Sequence, residues 1–148
     1  MHWRSNKGFT LPEMLLAALI ASFALCGVLL TYISCMNMVK TSKNVSIATS
    51  AAQGLIEEIR TTPFPQIVDD YNRLGFVVNG INNSRGIVYV DDTNPELLLV
   101  TVSVCWKQGI KTVGEDTNLN GLLDAGEDLN ANNMIDSSVE LVTQVANR

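Results

Sequence analysis

Gly8-Phe9-Thr10-Leu11-Pro12-Glu13 stands immediately before Met14–Met36, a run without a charged residue, and this junction decides the architecture of the chain. As an α-helix the run is about 35 Å long, which is enough to cross a hydrocarbon core of roughly 30 Å. Glu13 therefore lies at the mouth of a predicted membrane span. A charge at the bilayer centre costs roughly 2.5 to 3.5 kcal/mol, so this carboxylate needs a partner or a function. Nothing nearby in the sequence is an obvious partner.

The junction resembles the processing site of the type IV pilins and of the pseudopilins of type II secretion. The resemblance implies that a prepilin peptidase/methyltransferase cuts after Gly8 and methylates the new terminal residue, Phe9. It also implies that Glu13 meets the Phe9 amine of a neighbouring subunit during assembly. Cleavage would thus create the missing cation, because an amine and a carboxylate attract each other far more strongly in low dielectric than in water. Pro12 is compatible with this, since a proline in the first turn loses no intrahelical hydrogen bond.

The helical pattern continues beyond the apolar run. After Lys40 the apolar positions recur at helical spacing with polar residues between them, which is typical of an amphipathic helix. Pro63 and Pro65 end this pattern, because proline disfavours helix in the residue before it and has no N–H to extend one. We therefore expect a leader at 1–8, one long helix at 9–60 that is transmembrane at 14–36, and a globular head at 61–148.

The head is predicted to be rich in strands. Four segments carry β-branched residues between turn signals. In the third, valines at every second position alternate with polar residues and end at Trp106, which is the period of a sheet with one buried face. The third and fourth segments are expected to pair as a hairpin. The predicted fold class is α+β, with the long N-terminal helix packed against a small antiparallel sheet. The predicted strands are Gly75–Val78, Gly86–Val90, Leu97–Trp106 and Ser138–Val145.

An acidic segment between the last two strands matches the signature of an EF-hand calcium loop. Oxygen-bearing side chains stand at positions 1, 3, 5, 9 and 12 of the frame, and Gly121 stands where the loop turns sharply. Position 7 supplies a main-chain carbonyl. Calcium is a hard cation that takes about six to eight oxygen ligands, which explains Asp, Asn and Glu without His or Cys. The predicted calcium ligands are Asp116, Asn118, Asn120, Leu122, Asp124 and Glu127.

A second, degenerate frame follows directly, so the predicted calcium loops span 116–139. Asn133 replaces the glycine, and Val139 stands at position 12 in place of a carboxylate, which leaves Glu140 or a water to complete the site. For both loops the alternative is that Asp, Asn and Gly form ordinary solvated turns, and the full register of the first loop argues against it. The candidate ligands of this second metal site are Asp128, Asn130, Asn132, Met134 and Asp136.

The three cysteines provide no disulfide framework. Cys26 and Cys35 lie on one helix with about 13 Å of rise between them, beyond the roughly 7 Å limit for a disulfide, and Cys105 is alone in the head. Calcium is therefore expected to supply the stabilisation that other small exported domains draw from cystines, as a structural clamp.

Composition excludes several other classes of function. From Thr61 onward there are five basic and twelve acidic side chains, a net charge near −7, which argues against specific nucleic-acid binding. The single histidine, His2, lies in the leader that processing would remove, and there is no glycine-rich phosphate loop. We expect no enzymatic activity.

The sequence therefore predicts a structural subunit of a filament. The resemblance implies a minor pilin of a type IV pilus (a fimbrium), held by one helix in the inner membrane with its head in the periplasm and then packed among other pilins in a helical filament. Its partners would be the peptidase, membrane lipid before assembly, and other pilins or pseudopilins. Two alternatives stay open at this point, a pseudopilin of a secretion or DNA-uptake system and a membrane-anchored calcium-binding or adhesive domain that does not polymerise.

Overall fold

The computed structural model describes residues 8–147, so the predicted leader lies outside the described residues except for Gly8. The first element is α1, Leu11–Thr61, which is long and apolar enough to cross a membrane by length and composition. The chain divides into two compact units, Met1–Lys40 and Thr41–Arg148, and α1 begins in the first and ends in the second.

In the first unit the large apolar side chains of α1 are exposed along the whole run. Two of its hydroxyl groups are satisfied within the helix, since Ser22 Oγ donates to the Ala18 carbonyl at 2.7 Å and Thr31 Oγ1 donates to the Gly27 carbonyl at 2.9 Å. A polar group costs free energy in hydrocarbon only when it lacks a hydrogen-bond partner. This stretch therefore has the chemistry that a lipid or helix-bundle environment requires.

The second unit contains a short helix and a five-stranded antiparallel sheet. The strand order is β1-β2-β3-β4, and β5 pairs with β3 along the same edge as β4. The predicted α+β class is confirmed. The predicted pairing of the third and fourth strand segments is also confirmed, because β3 and β5 pair from Leu97↔Ala146 to Val104↔Val139, but the hairpin partner of β3 is β4, which comes between them in sequence. The elements are α2 (Phe64–Tyr71), β1 (Gly75–Phe76), β2 (Ser84–Asn94), β3 (Leu97–Gln108), β4 (Lys111–Val113) and β5 (Val139–Ala146).

Two elements were not anticipated from the sequence. The prolines that end α1 also begin α2, with Pro63 as its N-cap residue and Pro65 in its first turn, where the missing N–H has no intrahelical acceptor in any case. Strand β4 has three residues, which is too short to show a period of two.

The main core lies between the C-terminal part of α1 and one face of the sheet. Ala48 and Ala52 have no exposed surface, and small side chains at this four-residue spacing let the helix backbone approach the strands closely. Ile59, near the C-terminal end of α1, is also fully buried in this core. On the sheet the fully buried partners are Val88, Val100, Val102, Val104 and Trp106.

The opposite face of β3 is buried as well, which corrects the prediction of a sheet with one buried face. Thr101, Ser103 and Cys105 are all buried, although they alternate with the valines of the main core. The cause is a second cluster in which Ile87, Cys105 and Ile135 are buried beneath the acidic segment. A covering segment that is itself polar leaves no apolar period in the sequence, so the alternation alone could not reveal it.

Ile59→Ala tests the main core. Removing a fully buried isoleucine side chain should lower the free energy of unfolding by about 2 to 5 kcal/mol, because the lost burial is joined by a cavity. Ile110→Ala is the matched control, since Ile110 is 95% exposed, and it should change stability by no more than about 0.5 kcal/mol. Thermal or denaturant unfolding of both variants gives the comparison, and equal effects would contradict this core.

Candidate metal-binding loops and the helix N-terminus

The acidic segment runs from the end of β4 to the start of β5, two strands that lie one after the other along the same edge of β3. It is held against the sheet by partly buried apolar side chains, which include Leu119 and Leu123, around the Ile87–Cys105–Ile135 cluster. Tyr89 on β2 adds a hydrogen bond to the segment, since its hydroxyl oxygen accepts the Ile135 N–H at 2.9 Å. The predicted metal loops are therefore packed against the sheet.

Asp116, the first predicted ligand, is 1% exposed. Its Oδ1 accepts the Asn120 N–H at 3.1 Å and its Oδ2 accepts the Gly121 N–H at 2.7 Å. Both oxygens of this buried carboxyl group thus accept main-chain hydrogen bonds. The bonds close the loop around this side chain.

Glu127, the last predicted ligand, is 5% exposed and reaches back across the loop. Its Oε1 accepts the Thr117 N–H at 2.8 Å and the Thr117 hydroxyl at 2.6 Å, and its Oε2 accepts the Asp124 N–H at 3.2 Å. The hydrogen bond from the Thr117 hydroxyl is the main cause that lowers the pKa of Glu127 below its ordinary value. The two ends of the predicted frame are thus brought together.

The middle ligands converge on one carboxylate. The side-chain amides of Asn118 and Asn120 donate to Asp124 Oδ2 at 2.7 and 2.8 Å. The Asn120 Oδ1 accepts the Leu122 N–H at 2.6 Å, which orders the residue whose carbonyl is the predicted seventh-position ligand. The structure therefore assembles the side chains that the spacing singled out.

Gly121 is required by both conformation and space. Its φ is +79°, a backbone region that side chains disfavour, and an added Cβ would lie 2.8 Å from Arg85 Nε. Arg85 on β2 donates from Nη2 to the Asn120 carbonyl at 3.1 Å, so it contacts the outside of the loop turn.

No basic side chain of this segment balances its carboxylates, and the cation that contacts it, Arg85, bonds to a main-chain carbonyl. From Glu115 to Asp136 there are six carboxylates and no Lys or Arg. Among residues 8–147 the ion pair within 4 Å is Arg60 with Glu57 on α1, away from these loops. Buried charges in proteins are generally paired or coordinate a metal, and Asp116 and Glu127 are buried without a counter-charge.

The donor set fits calcium. Carboxylate, amide and main-chain oxygens are the ligands this hard cation prefers, and they surround a loop closed by Asp116 and Glu127. No three His, Cys, Asp or Glu side chains in the described part of the chain are already gathered tightly enough to hold a metal by themselves. For a metal to bind here, amide and main-chain carbonyl oxygens would have to complete the ligand set, and the bound ion would supply positive charge between the carboxylates.

The predicted second loop is ordered in a similar way. Asp128 accepts the N–H groups of Asn132 and Asn133 at 3.1 and 3.0 Å, and Asp136 Oδ2 accepts the side-chain amides of Asn130 and Asn132 at 2.5 and 2.9 Å. Asn133 has a φ of +60°. Asparagine tolerates this left-handed conformation better than most residues, so it can replace the glycine. The Met134 N–H donates to Asn132 Oδ1 at 2.8 Å, as the Leu122 N–H does to Asn120 Oδ1 in the first loop.

At the start of α1, Gly8, Phe9 and Glu13 are all exposed. Glu13 does have a partner in its own chain, contrary to the expectation from the sequence. Its Oε2 accepts the Thr10 N–H at 3.0 Å and the Thr10 hydroxyl at 2.9 Å. Thr-x-x-Glu is the signature of a capping box, in which the glutamate satisfies a free N–H at the helix start. The Thr10-x-x-Glu13 spacing is visible in the sequence, where the same residues also match a processing motif.

Comparison with protein-family models, with curated proteins and with solved structures finds no match to this chain. The architecture, a long apolar N-terminal helix packed on an antiparallel sheet, is consistent with a pilin-like fold.

Tyr89→Phe tests how firmly the sheet holds the acidic segment. The change leaves the Ile135 N–H without its acceptor on a residue that is almost fully buried, so stability should fall by about 1 to 3 kcal/mol. Tyr32→Phe, on the exposed part of α1, is the matched control and should have an effect within about 0.5 kcal/mol. Thermal unfolding measures the stability of both variants. A Tyr89→Phe variant as stable as the control would show that the Tyr89–Ile135 hydrogen bond does not stabilise the head.

Proposed function

We propose that this protein is a structural subunit of an extracellular filament, a minor pilin of a type IV pilus, processed after Gly8 and assembled through its N-terminal helix. The observation that carries the proposal is the position of Glu13, at the first turn of a helix that is long and apolar enough to span a membrane and directly after the Gly8-Phe9 junction. The head packed on the far part of that helix supports the same reading.

The geometry of Glu13 suits pairing between subunits. Both hydrogen bonds from Thr10 fall on Oε2, and we assign Oε1 to the Phe9 amine of a neighbouring subunit. The capping interaction lowers the cost of burying the carboxylate, because part of its hydrogen-bonding capacity is already satisfied. In low dielectric the Glu13 carboxylate and the Phe9 amine attract each other, so pairing favours the assembled state. Either charge without the other would be desolvated and unpaired.

The partners and location follow from this proposal. The chain would first lie in the inner membrane as a single-pass protein with its head in the periplasm, where the prepilin peptidase/methyltransferase cleaves it and N-methylates Phe9. It would then join other pilins by packing of the exposed apolar part of α1. No enzymatic activity and no specific nucleic-acid partner are part of the proposal.

Glu13→Ala and Glu13→Gln together test this mechanism. Glutamine serves in a capping box, so Glu13→Gln retains the helix cap while removing the charge. If the carboxylate pairs with a neighbouring amine, both variants should enter filaments at least about tenfold less than the parent chain, because breaking a buried ion pair is strongly destabilising. Incorporation is measured by the amount of the chain in sheared extracellular fibres relative to its amount in the membrane.

Thr10→Val is the control for capping, since it removes the hydroxyl bond but leaves the carboxylate. It should retain membrane level and incorporation. If Glu13→Gln assembles as well as the parent chain, the residue acts as a helix cap and the pairing mechanism is wrong. If all variants and the parent chain remain in the membrane with no filament pool, the chain is a non-polymerising anchor.

We further propose that calcium acts as a structural clamp on the head. The support is the pair of buried carboxylates without a counter-charge, Asp116 and Glu127, inside a segment of full EF-hand spacing. A cation there would relieve the repulsion between carboxylates and hold the segment over Cys105 and its neighbours on the sheet. Binding to the folded state alone stabilises it, by about 2.7 kcal/mol when free calcium is 100 times the dissociation constant.

Chelation of calcium from the full chain in detergent micelles should lower the midpoint of thermal unfolding by at least about 4 °C. Glu127→Gln should abolish most of this calcium response, whereas Glu96→Gln, a change of the same charge on an exposed residue of the β2–β3 turn, should retain it. Identical melting curves with calcium and with chelator would rule out the clamp.

A further inference from the structure

The second acidic loop repeats the hydrogen bonds of the first at an offset of twelve residues. In the first loop Asp116 accepts from Asn120 and Gly121, and in the second Asp128 accepts from Asn132 and Asn133. The left-handed residues repeat as well, since Leu119 and Gly121 correspond to Ala131 and Asn133. The remaining bonds of each loop follow the same offset through Asn118 and Asn130, Asn120 and Asn132, and Asp124 and Asp136.

The twelfth position is where the two loops differ in sequence. Val139 occupies it in the second frame, but Val139 is buried in β5 and has no oxygen in its side chain. In the first loop Glu127 has three characteristic contacts. Its N–H donates to the Asp124 carbonyl, one carboxylate oxygen accepts the N–H of position 2 (Thr117), and the other accepts the N–H of position 9 (Asp124).

Glu115, the residue before the first loop, makes the same three contacts with the second loop. Its N–H donates to the Asp136 carbonyl at 2.8 Å. Its Oε1 accepts the N–H of Leu129, position 2 of the second frame, at 3.2 Å, and its Oε2 accepts the N–H of Asp136, position 9, at 3.1 Å. Glu140, the residue expected to complete this site, is exposed, and its side chain interacts with that of Asp136, but within residues 8–147 the main-chain amides at positions 2 and 9 donate to Glu115 and none donates to the Glu140 carboxylate.

We propose that Glu115 is the missing carboxylate ligand of a second calcium site. This inference rests on calcium binding by the first loop, which carries the full signature and whose two end ligands, Asp116 and Glu127, are buried without a counter-charge. Each site then has three carboxylates, and the six of the segment are divided equally between two divalent cations. The ligands of the second site are Asp128, Asn130, Asn132, the Met134 carbonyl, Asp136 and Glu115.

In this arrangement the glutamate ligand of each site is next in sequence to the first ligand of the other site. Glu115 belongs to the second site and is bonded in the chain to Asp116 of the first, while Glu127 belongs to the first and is bonded to Asp128 of the second. An ion in either site therefore fixes the first ligand of the other. The second ion should bind more tightly than it would to an isolated loop, since part of the ordering entropy has been lost already.

Calcium titration calorimetry of the full chain in detergent micelles tests the assignment, with Glu115→Gln and Glu140→Gln as a pair of equal charge change. We expect two ions per chain for the parent and for Glu140→Gln. For Glu115→Gln we expect one ion, or a second ion bound at least about tenfold more weakly, because a charged ligand is lost from the site. Glu115→Asp retains the charge and the fold but is one methylene shorter, so it too should weaken the second ion.

The outcomes separate this inference from the calcium clamp itself. If the parent binds one ion that Glu127→Gln abolishes, and both Glu115 variants bind like the parent, Glu115 is not a ligand although the clamp stands. If Glu140→Gln loses the second ion and the Glu115 variants retain it, Glu140 completes the site and the assignment is wrong. If the parent chain binds no calcium, the clamp and this inference both fail.

Discussion

Strand β3 is the constraint on which the head depends, because it is paired on both edges and buried on both faces. Strand β2 lies along one edge, and β4 and β5 share the other. One face packs on α1 through valines and Trp106, and the other lies beneath the acidic segment around Cys105. A strand satisfied in this way has no free hydrogen-bonding edge, and each neighbouring element is positioned by contact with it. The acidic segment can remain irregular because its two ends are fixed by strands.

The same arrangement explains why so many carboxylates can lie together. Six acidic side chains between Glu115 and Asp136 repel one another in the folded state, and no basic residue in the segment offsets them. Main-chain N–H groups satisfy the oxygens of Asp116 and Glu127, but hydrogen bonds do not neutralise charge. The proposed calcium ions would offset this repulsion and would account for an acidic composition next to the sheet.

At the other end of the chain, one glutamate combines two roles. Glu13 satisfies the Thr10 N–H at the start of α1, and in the proposed filament it also meets a neighbouring terminal amine. These roles are compatible because a carboxylate has two oxygens with several acceptor sites. The capping role fixes the direction of the side chain before any partner arrives, so less rotamer entropy is lost on assembly.

Much of the fold could be predicted from the sequence, and the reason is periodicity. The long helix, its end near Thr61, the pairing of β3 with β5 and the α+β class all follow from apolar spacing and proline positions. Helix α2 and strand β4 could not be predicted because they are too short to show a period. The capping box at Thr10 and Glu13 was not predicted because the same residues also match a processing motif.

The sequence by itself determined the membrane-length helix and the register of the first acidic loop, including which residues are its predicted calcium ligands, since each depends on spacing along the chain. Only the tertiary structure decided that β3 is covered on both faces and that Glu115 completes the second loop. Glu115 lies 21 residues before Asp136, whose N–H its side chain accepts, and the two meet because the segment folds back between β4 and β5. A contact made by chain reversal has no fixed spacing, so no linear motif records it.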